Sequence, residues 1–248
     1  MKKLVSARAG ALACVTLCLA LFAGFASAGS LKTGPTFALP DRARLQPMDG
    51  ENVINGVPTR ITVFSSPDTL ESTAAWFRKT LTQPYTEDTR GGDIIFGKPA
   101  EHHFSTIKLS AVPGGTRGVV AVADLEQGAK RSKITEARIK DWLADLGVES
   151  KVLSFNESVT LGTDAQTLLL VNDRSPAGNI KAVHRLMDKR GFEFERELSD
   201  SSKQVGSEQG TRTLMFRGQA REAVVMVRPQ AGGQTQVLIN VTVQTKRG

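Results

Sequence analysis

Two stretches of this 248-residue chain show the same order of sequence patterns, and this internal likeness constrains the fold more than any short motif. Residues 57–125 and residues 166–244 each begin with an apolar run and continue with a Ser-Pro pair that can start a helix. An amphipathic segment and three apolar stretches follow in each copy, and a Gly-Gly turn separates the last two stretches. A likeness this long indicates one structural unit that is present twice.

The repeat predicts an α+β fold, a tandem repeat of a β-α-β-β-β module with its helix packed on an antiparallel sheet and a connecting helix. Counting from the Gly-Gly turns aligns four apolar pairs: Ile107 with Val225, Leu109 with Val227, Val119 with Val237, and Val120 with Leu238. The pattern leaves open whether the two modules share one sheet. The order of elements resembles the tandem helix-grip domains of an outer-membrane assembly lipoprotein, and this likeness covers the order alone and implies no family.

The N-terminal residues have the pattern of a secretory signal peptide. Three positive charges precede an uncharged apolar run at residues 9–25, and the Ala-Ser-Ala sequence at 26–28 is a cleavage site of the A-x-A type. The apolar run is shorter than the ~20 residues that a membrane-spanning helix needs. We therefore predict an exported protein, periplasmic or secreted, that begins at Gly29 and is not a transmembrane protein after cleavage.

Removal of this segment changes the composition in two ways. Cys14 and Cys18 both leave, so the remaining chain has no thiol, which excludes disulfides, a cysteine nucleophile and thiolate metal sites. The formal net charge falls from +7 to +4, because Lys2, Lys3 and Arg8 leave without any acidic residue. The chain has no stripe of Lys and Arg interleaved with aromatic residues, so the sequence predicts no nucleic-acid partner.

The sequence predicts five segments along the chain. They are a signal peptide at 1–28, an extended tether at 29–56, a first α+β module at 57–126, a connector helix at 127–150 and a second α+β module at 151–248. A strand and an Asn-Gly turn are expected where the tether ends, at residues 53–56. Ser65 or Ser66 is the expected cap of the first module's helix, and Asp173 or Ser175 that of the second. The helix at about 133–146 either completes the first module or bridges the two.

Residue types suited to catalysis are scattered. His102 and His103 follow Glu101, but neighbours on a strand point to opposite faces and cannot easily share a metal ion. His184 stands alone on a predicted helix. The carboxylates of Glu193, Glu195 and Glu197 alternate, which predicts one solvated strand face. Because no nucleophile elbow, S-x-x-K box or phosphate-binding loop is present, we predict no catalytic residues, no metal and no cofactor.

The remaining candidates are residues for binding. Trp76 lies off the main apolar stripe of its helix and is a candidate contact for a partner or ligand. Four arginines are candidates for a basic lining between the modules: Arg212, Arg217, Arg221 and Arg228. We predict a non-catalytic exported protein that interacts with an envelope protein. The alternatives are a module that binds a glycan or an anionic lipid headgroup, and a hydrolase in which Glu101, His102 or His103 meets a nucleophile or a second carboxylate in one pocket.

Overall fold

The computed structural model of this chain describes residues 34–46, 50–160, 162–199 and 210–245. The described residues form two compact units. The N-terminal unit comprises residues 34–46, 50–133 and 158–160, and the C-terminal unit comprises 134–157, 162–199 and 210–245. The signal peptide lies outside the described residues, so export stays a prediction, as do the five segment boundaries. Within these ranges, none of the helices is both long and apolar enough to cross a membrane.

Thirteen strands and three α-helices make up the described residues. The strands are β1 (Arg44–Gln46), β2 (Glu51–Ile54), β3 (Val57–Ser66), β4 (Thr86–Arg90), β5 (Asp93–Ala100), β6 (His103–Val112), β7 (Gly115–Asp124), β8 (Lys151–Thr160), β9 (Thr163–Asn172), β10 (Glu193–Ser199), β11 (Arg212–Gly218), β12 (Arg221–Pro229) and β13 (Thr235–Gln244). The helices are α1 (Leu70–Thr80), α2 (Leu125–Leu146) and α3 (Pro176–Lys189), and a 3-10 turn at Ala231–Gly233 joins β12 to β13.

The predicted fold class is wrong, because the fold is mainly β rather than a tandem α+β repeat. Strands hold 52% of the described residues and helices 25%. The sequence reading missed β1 and β4, and it placed β2 at the edge of a tether. The alignment also fails after the Gly-Gly turns: Val120 is buried in the core, whereas Leu238 lies on the opposite side of its strand from the buried Val237 and Ile239.

The N-terminal unit has the strand order β2-β3-β7-β6-β5-β4, and β1 also pairs with β3. Helix α1 covers one face, where aromatic side chains dominate a core that includes Phe64, Phe77 and Phe96. The segment before β1, which the sequence suggested was an extended tether, packs Phe37 and Leu39 against this core. The predicted turn before β3 is present, with Asn55 and Gly56 at φ values of 51° and 83°.

Helix α1 starts later than the sequence suggested. Its N-cap is Thr69, whose side chain accepts a hydrogen bond from the backbone N–H of Ser72 at 3.2 Å. Ser65 and Ser66 are unable to cap it, because strand β3 continues through Ser66 and pairs there with Thr116. The Ser-Pro pair therefore ends a strand here instead of starting a helix.

The C-terminal unit has the strand order β8-β9-β13-β12-β11-β10. Helix α3 begins as predicted, with the Ser175 side chain accepting from Gly178 N at 3.2 Å and Pro176 in the first turn. Trp142 and Leu146 of α2 join Val183 and Leu186 of α3 in one core, so both helices cover the same face of this sheet. The opposite side of β10–β13 is called the open face below.

Helix α2 is longer than predicted. It starts at Leu125, whereas the sequence predicted a start at about residue 133. The Asp124 side chain caps this start by accepting from Gln127 N at 2.9 Å, and Lys130 pairs with Glu126 one turn away. The missed cap explains why the sequence placed the start eight residues too late.

Candidate functional site

A cleft of about 900 Å³ opens at one end of the C-terminal unit. Three chain segments line it: residues 148–151 between α2 and β8, residues 171–174 between β9 and α3, and the loop 230–236 that leads into β13. The loop is closed by a hydrogen bond from Gln230 N to Gln234 O at 2.7 Å. Gly232 and Gly233 lie in the left-handed region at φ values of 81° and 82°, which lets the loop stand away from the sheet.

A buried amide pair holds two of the three segments in place. Asn179 is fully buried, and it exchanges two hydrogen bonds of 2.9 Å with Asn172, at the end of β9. Asn172 also donates to Ser150 Oγ at 3.1 Å and accepts from Arg174 N at 3.1 Å. Because a buried amide without its partners would be costly, this network fixes the cleft walls at the positions of Ser150 and Arg174.

The cleft surface carries amide groups and charges of both signs. Gln234 donates to the carboxylate of Asp173 at 3.0 Å and so ties the third segment to the second. The charged residues on the walls are Glu149, Lys151, Asp173 and Arg174, and the amide side chains belong to Gln230, Gln234 and Gln236. The apolar part of the lining comes from aliphatic side chains, among them Leu153 and Val171. This mixture suits a polar ligand with several hydrogen-bonding groups.

The open face continues from the cleft. Val171 and Gln236 pair across β9 and β13 and both line the cleft. The next pair on the same side of these strands is Leu169, which is buried, and Leu238, which is partly exposed. Neighbouring strands extend this row into an apolar stripe that consists of Leu198, Met215, Val224, Met226 and Leu238. Three of its members are well exposed, namely Leu198 at 50%, Val224 at 37% and Met226 at 39%.

The structure separates the four candidate arginines. Alternation along β11 and β12 places Arg217 and Arg228 on the open face, and Arg212 and Arg221 on the face that the helices cover. Arg212 pairs with Glu197, and Arg217 Nη2 lies 3.1 Å from Glu195 Oε1. They do not form one basic lining.

Two of these arginines do meet at the β11–β12 turn. Arg217 and Arg221 line a hollow of about 230 Å³ there, together with Glu222. The guanidinium of Arg221 lies 4.7 Å from the ring centre of Phe192 and donates to Gly191 O at 3.0 Å. These contacts give Arg221 a structural role at this corner of the unit.

Trp76 lies on α1 and is half-buried against the aromatic core of the N-terminal unit. Its ring meets Phe77 edge-on with centroids 5.0 Å apart. This contact uses much of the ring for packing and leaves part of it accessible.

The histidines have packing or surface environments. His102 lies in the exposed two-residue turn between β5 and β6, 3.4 Å from Glu101. His103 Nε2 is 3.9 Å from Asp124 Oδ2 and is buried without a hydrogen bond to any described residue. The ring of His184 packs edge-on against Phe194 and Phe216, at centroid distances of 4.8 and 5.4 Å. Across the described ranges, no three His, Cys, Asp or Glu side chains are grouped as metal ligands.

The prediction that Glu193, Glu195 and Glu197 share one strand face is wrong. A bulge between Phe194 and Arg196 shifts the register of β10 against β11. As a result Glu195 pairs with Arg217 on the open face, whereas Glu197 pairs with Arg212 on the face that the helices cover.

Carboxyl groups with a shifted pKa lie in ion pairs outside the cleft. The hydrogen bond from Lys189, supported by Arg190, lowers the pKa of Asp145 on α2. The hydrogen bond from Arg78 of α1 lowers the pKa of Glu87 on β4. Both are typical of structural ion pairs that fasten a helix to its neighbour.

Sequence reasoning missed the residues of the cleft. One signal was present: Asn179 lies four residues before Val183 and seven before Leu186, on the apolar stripe of α3. A polar side chain on such a stripe predicts a buried partner, and Asn172 is seven residues away. No comparable pattern marks Lys151, Arg174 or Gln234, because their positions depend on how three loops meet.

Comparison with known proteins returned no match: no protein-family model, no curated protein and no solved structure is similar to this chain.

Proposed function

We propose that this chain is a non-catalytic binding protein of the bacterial envelope, which docks another protein on the open face of its C-terminal unit. The observation that carries the proposal is the exposed apolar stripe, where Val224 and Met226 are more than a third exposed next to Leu198. Exposed apolar patches bounded by polar residues mark interaction surfaces more often than isolated surface residues do. The two methionines of the stripe, Met215 and Met226, can adapt to different partner shapes.

The charges around the stripe favour an apolar partner segment flanked by residues of both charge signs. Arg196, Arg217 and Arg228 share the open face with Glu193 and Glu222, and Arg217 also pairs with Glu195. The Arg196 guanidinium lies against the stripe itself, with its Nε 3.0 Å from Met215 Sδ. Electrostatic complementarity of this kind steers association and excludes partners of the wrong charge.

The sheet edges are poor docking sites, which supports binding through a face. Strand β10 ends the sheet of the C-terminal unit and carries four charged residues and a bulge. Strand β4 ends the strand order of the N-terminal unit and carries Glu87, Asp88 and Arg90. Charges and bulges on edge strands oppose the addition of another strand.

Capture experiments with designed variants test this function. The chain is exported from a bacterial host with a photo-crosslinking residue at Leu198, and envelope proteins that crosslink are identified. We expect the double variant Val224→Asp/Met226→Asp to lose specific crosslinks at least tenfold. Thr106→Asp, on the corresponding face of the N-terminal unit, should leave them unchanged. Crosslinks that survive in the double variant would refute docking on the open face.

The glycan or anionic-headgroup function remains the alternative. It rested on four arginines acting together, and the structure places them on two faces of the sheet. Retention of the purified chain on vesicles of anionic phospholipid, with loss on Arg217→Gln/Arg228→Gln, would favour that alternative over protein docking.

A further inference from the structure

The cleft of the C-terminal unit has a lining that narrows the ligand class. Amide side chains can both donate and accept, so Gln234 and Gln236 match the N–H and C=O groups of a peptide backbone. Cations and anions are both present, on Lys151 and Arg174 and on Glu149 and Asp173. Because the lining holds two cations and two carboxylates, a simple ion of either sign leaves one pair of charges unmatched, whereas a segment with charges of both signs can match all four.

The cleft is also held in shape before a ligand enters. Asn172 and Asn179 fix Ser150 and the backbone of Arg174, and Gln234 connects the loop to Asp173. The Arg174 side chain lies across the first turn of α3, where its Cγ would be 2.7 Å from a β-carbon at position 178. Ordered walls reduce the entropy lost on binding.

We propose that the cleft binds a polar, extended polypeptide segment that carries charges of both signs, and that the same polypeptide continues onto the apolar stripe. This inference rests on the proposed docking function and names the partner's chemistry. The second half of the proposal depends on continuity along β13: Gln236 lines the cleft, and the next residue on the same side of the strand is the partly exposed Leu238 of the stripe. Side chains of an extended ligand alternate with a period of two, which suits both the strand rows and the cleft.

A glycan fits the lining less well. Sugar rings bind by stacking their C–H faces on aromatic side chains, and none of the described residues that line the cleft has an aromatic ring. The apolar part of the wall is aliphatic, from Leu153 and Val171, which suits small aliphatic side chains of a peptide.

The probe is a phage-displayed library of random 12-residue peptides, selected against the full chain purified after export. Enriched peptides are synthesised with a fluorophore, and their dissociation constants are measured by anisotropy. We expect enriched sequences to place an apolar pair next to a stretch with both acidic and basic residues. Gln234→Ala/Gln236→Ala should weaken binding at least tenfold, and the volume-conserving Gln234→Glu at least threefold. The matched control Gln127→Ala, an exposed amide on α2, should leave affinity unchanged.

The outcomes separate this inference from the docking function. Loss of affinity in Val224→Ser/Met226→Ser but not in the cleft variants would overturn the cleft inference and leave docking on the open face intact. No change in either set would overturn both. Binding of soluble cell-wall oligosaccharides that depends on Gln234, with no enriched peptide, would overturn the peptide class. Urea unfolding of each variant shows that the protein is folded, and Gln234→Glu replaces any alanine variant that is not.

Discussion

The two units differ at the junction where a strand leads into a helix, next to the β-hairpin turn of the neighbouring strands. In the N-terminal unit, Ser66 at the end of β3 pairs with Thr116, and a two-residue turn places Gly115 so close that a β-carbon there would lie 2.0 Å from Ser66 O. In the C-terminal unit, Asn172 at the end of β9 pairs with Thr235, and five residues connect β12 to β13. One end is closed by packing and the other holds a cleft, so the length of one loop decides where a site forms.

The same junctions also differ in their buried polar groups. Each unit has a polar residue at the strand end and another seven residues later on the helix: Ser66 and Thr73, or Asn172 and Asn179. The asparagines bond to each other twice. Thr73 Oγ1 is buried and has no hydrogen bond to a described residue. The C-terminal junction is therefore fastened by polar bonds between the strand end and the helix. The N-terminal junction has none between Ser66 and Thr73; its polar bonds join Asp68 to Ser66 and Thr116.

Substitution of the hairpin glycines gives the largest expected effect. Gly115→Ala adds a methyl group against backbone atoms and forces alanine to a φ of 146°, so we expect a loss of about 4 kcal/mol in the free energy of unfolding. Gly233→Ala has no atom within 4 Å of the new β-carbon and only the strain of a positive φ, so about 1 kcal/mol is expected. Urea unfolding measures both. Equal losses would mean that the first end is not closed by packing.

Removal of a polar partner comes next in size. Asn179→Ala removes two of the four hydrogen bonds of the Asn172 amide, which we expect to cost about 3 kcal/mol in the free energy of unfolding. Thr73→Val, which removes an unbonded hydroxyl of the same shape, should change it by less than about 0.5 kcal/mol. A similar loss in both variants, measured by urea unfolding, would contradict the distinction between the junctions.

The ion pairs of the helices predict a smaller, pH-dependent effect. The pKa of Asp145 is lower in the folded state than in the unfolded chain. Its carboxylate therefore stabilises the folded state at pH values above the usual pKa of a carboxyl group, and this contribution is lost as the pH falls through the lowered pKa. Asp145→Asn should cost about 1 kcal/mol at pH 7 and progressively less below about pH 4. Glu87→Gln should show the same trend with a smaller size, because the Glu87 side chain is 29% exposed against 13% for Asp145. A difference that is independent of pH would exclude an electrostatic cause.

Shortening the loop of the cleft should have the smallest effect on stability. Replacing residues 230–234 by Asn-Gly would give β12 and β13 a two-residue hairpin like that of β6 and β7. We expect the free energy of unfolding to change by less than about 0.5 kcal/mol, because a shorter loop loses less entropy on closure. Affinity for the selected peptides should fall at least tenfold. Unchanged affinity would show that the loop forms no part of the binding site.

Local patterns predicted those features whose cause is local. The start of α3 follows from Ser175 and Pro176, and the turn before β3 from Asn55 and Gly56, because cap and turn residues act on their own backbone. The predicted start of α1 was wrong because Ser66 pairs with β7, a strand that is distant in sequence, and this pairing outweighs the local preference for a helix cap. Short edge strands such as β1 depend wholly on a partner strand and leave little signal in sequence.

The candidate site was harder to predict than the fold. The alignment of the Gly-Gly turns assumed equal loops, yet the loops have two and five residues, so the residues after them face different sides. The same assumption concealed the cleft, because the longer second loop forms one of its walls. Likewise the bulge in β10 turns Glu195 to a different face of the strand from Glu197. A prediction from the alternation of side chains along a strand does not include the extra residue of a bulge.

Because Gly232 and Gly233 adopt left-handed backbone conformations, the loop of the cleft stands away from the sheet and its sequence can be replaced. Its two ends are fixed by the strand pair Pro229 and Thr235, so a change of sequence between them leaves the packing of the core unchanged. Insertions there are inexpensive, since doubling a loop costs only about 0.6 kcal/mol. Recognition can therefore diversify at this position while the scaffold stays constant, which makes residues 230–234 the natural region to randomise when a new specificity is wanted.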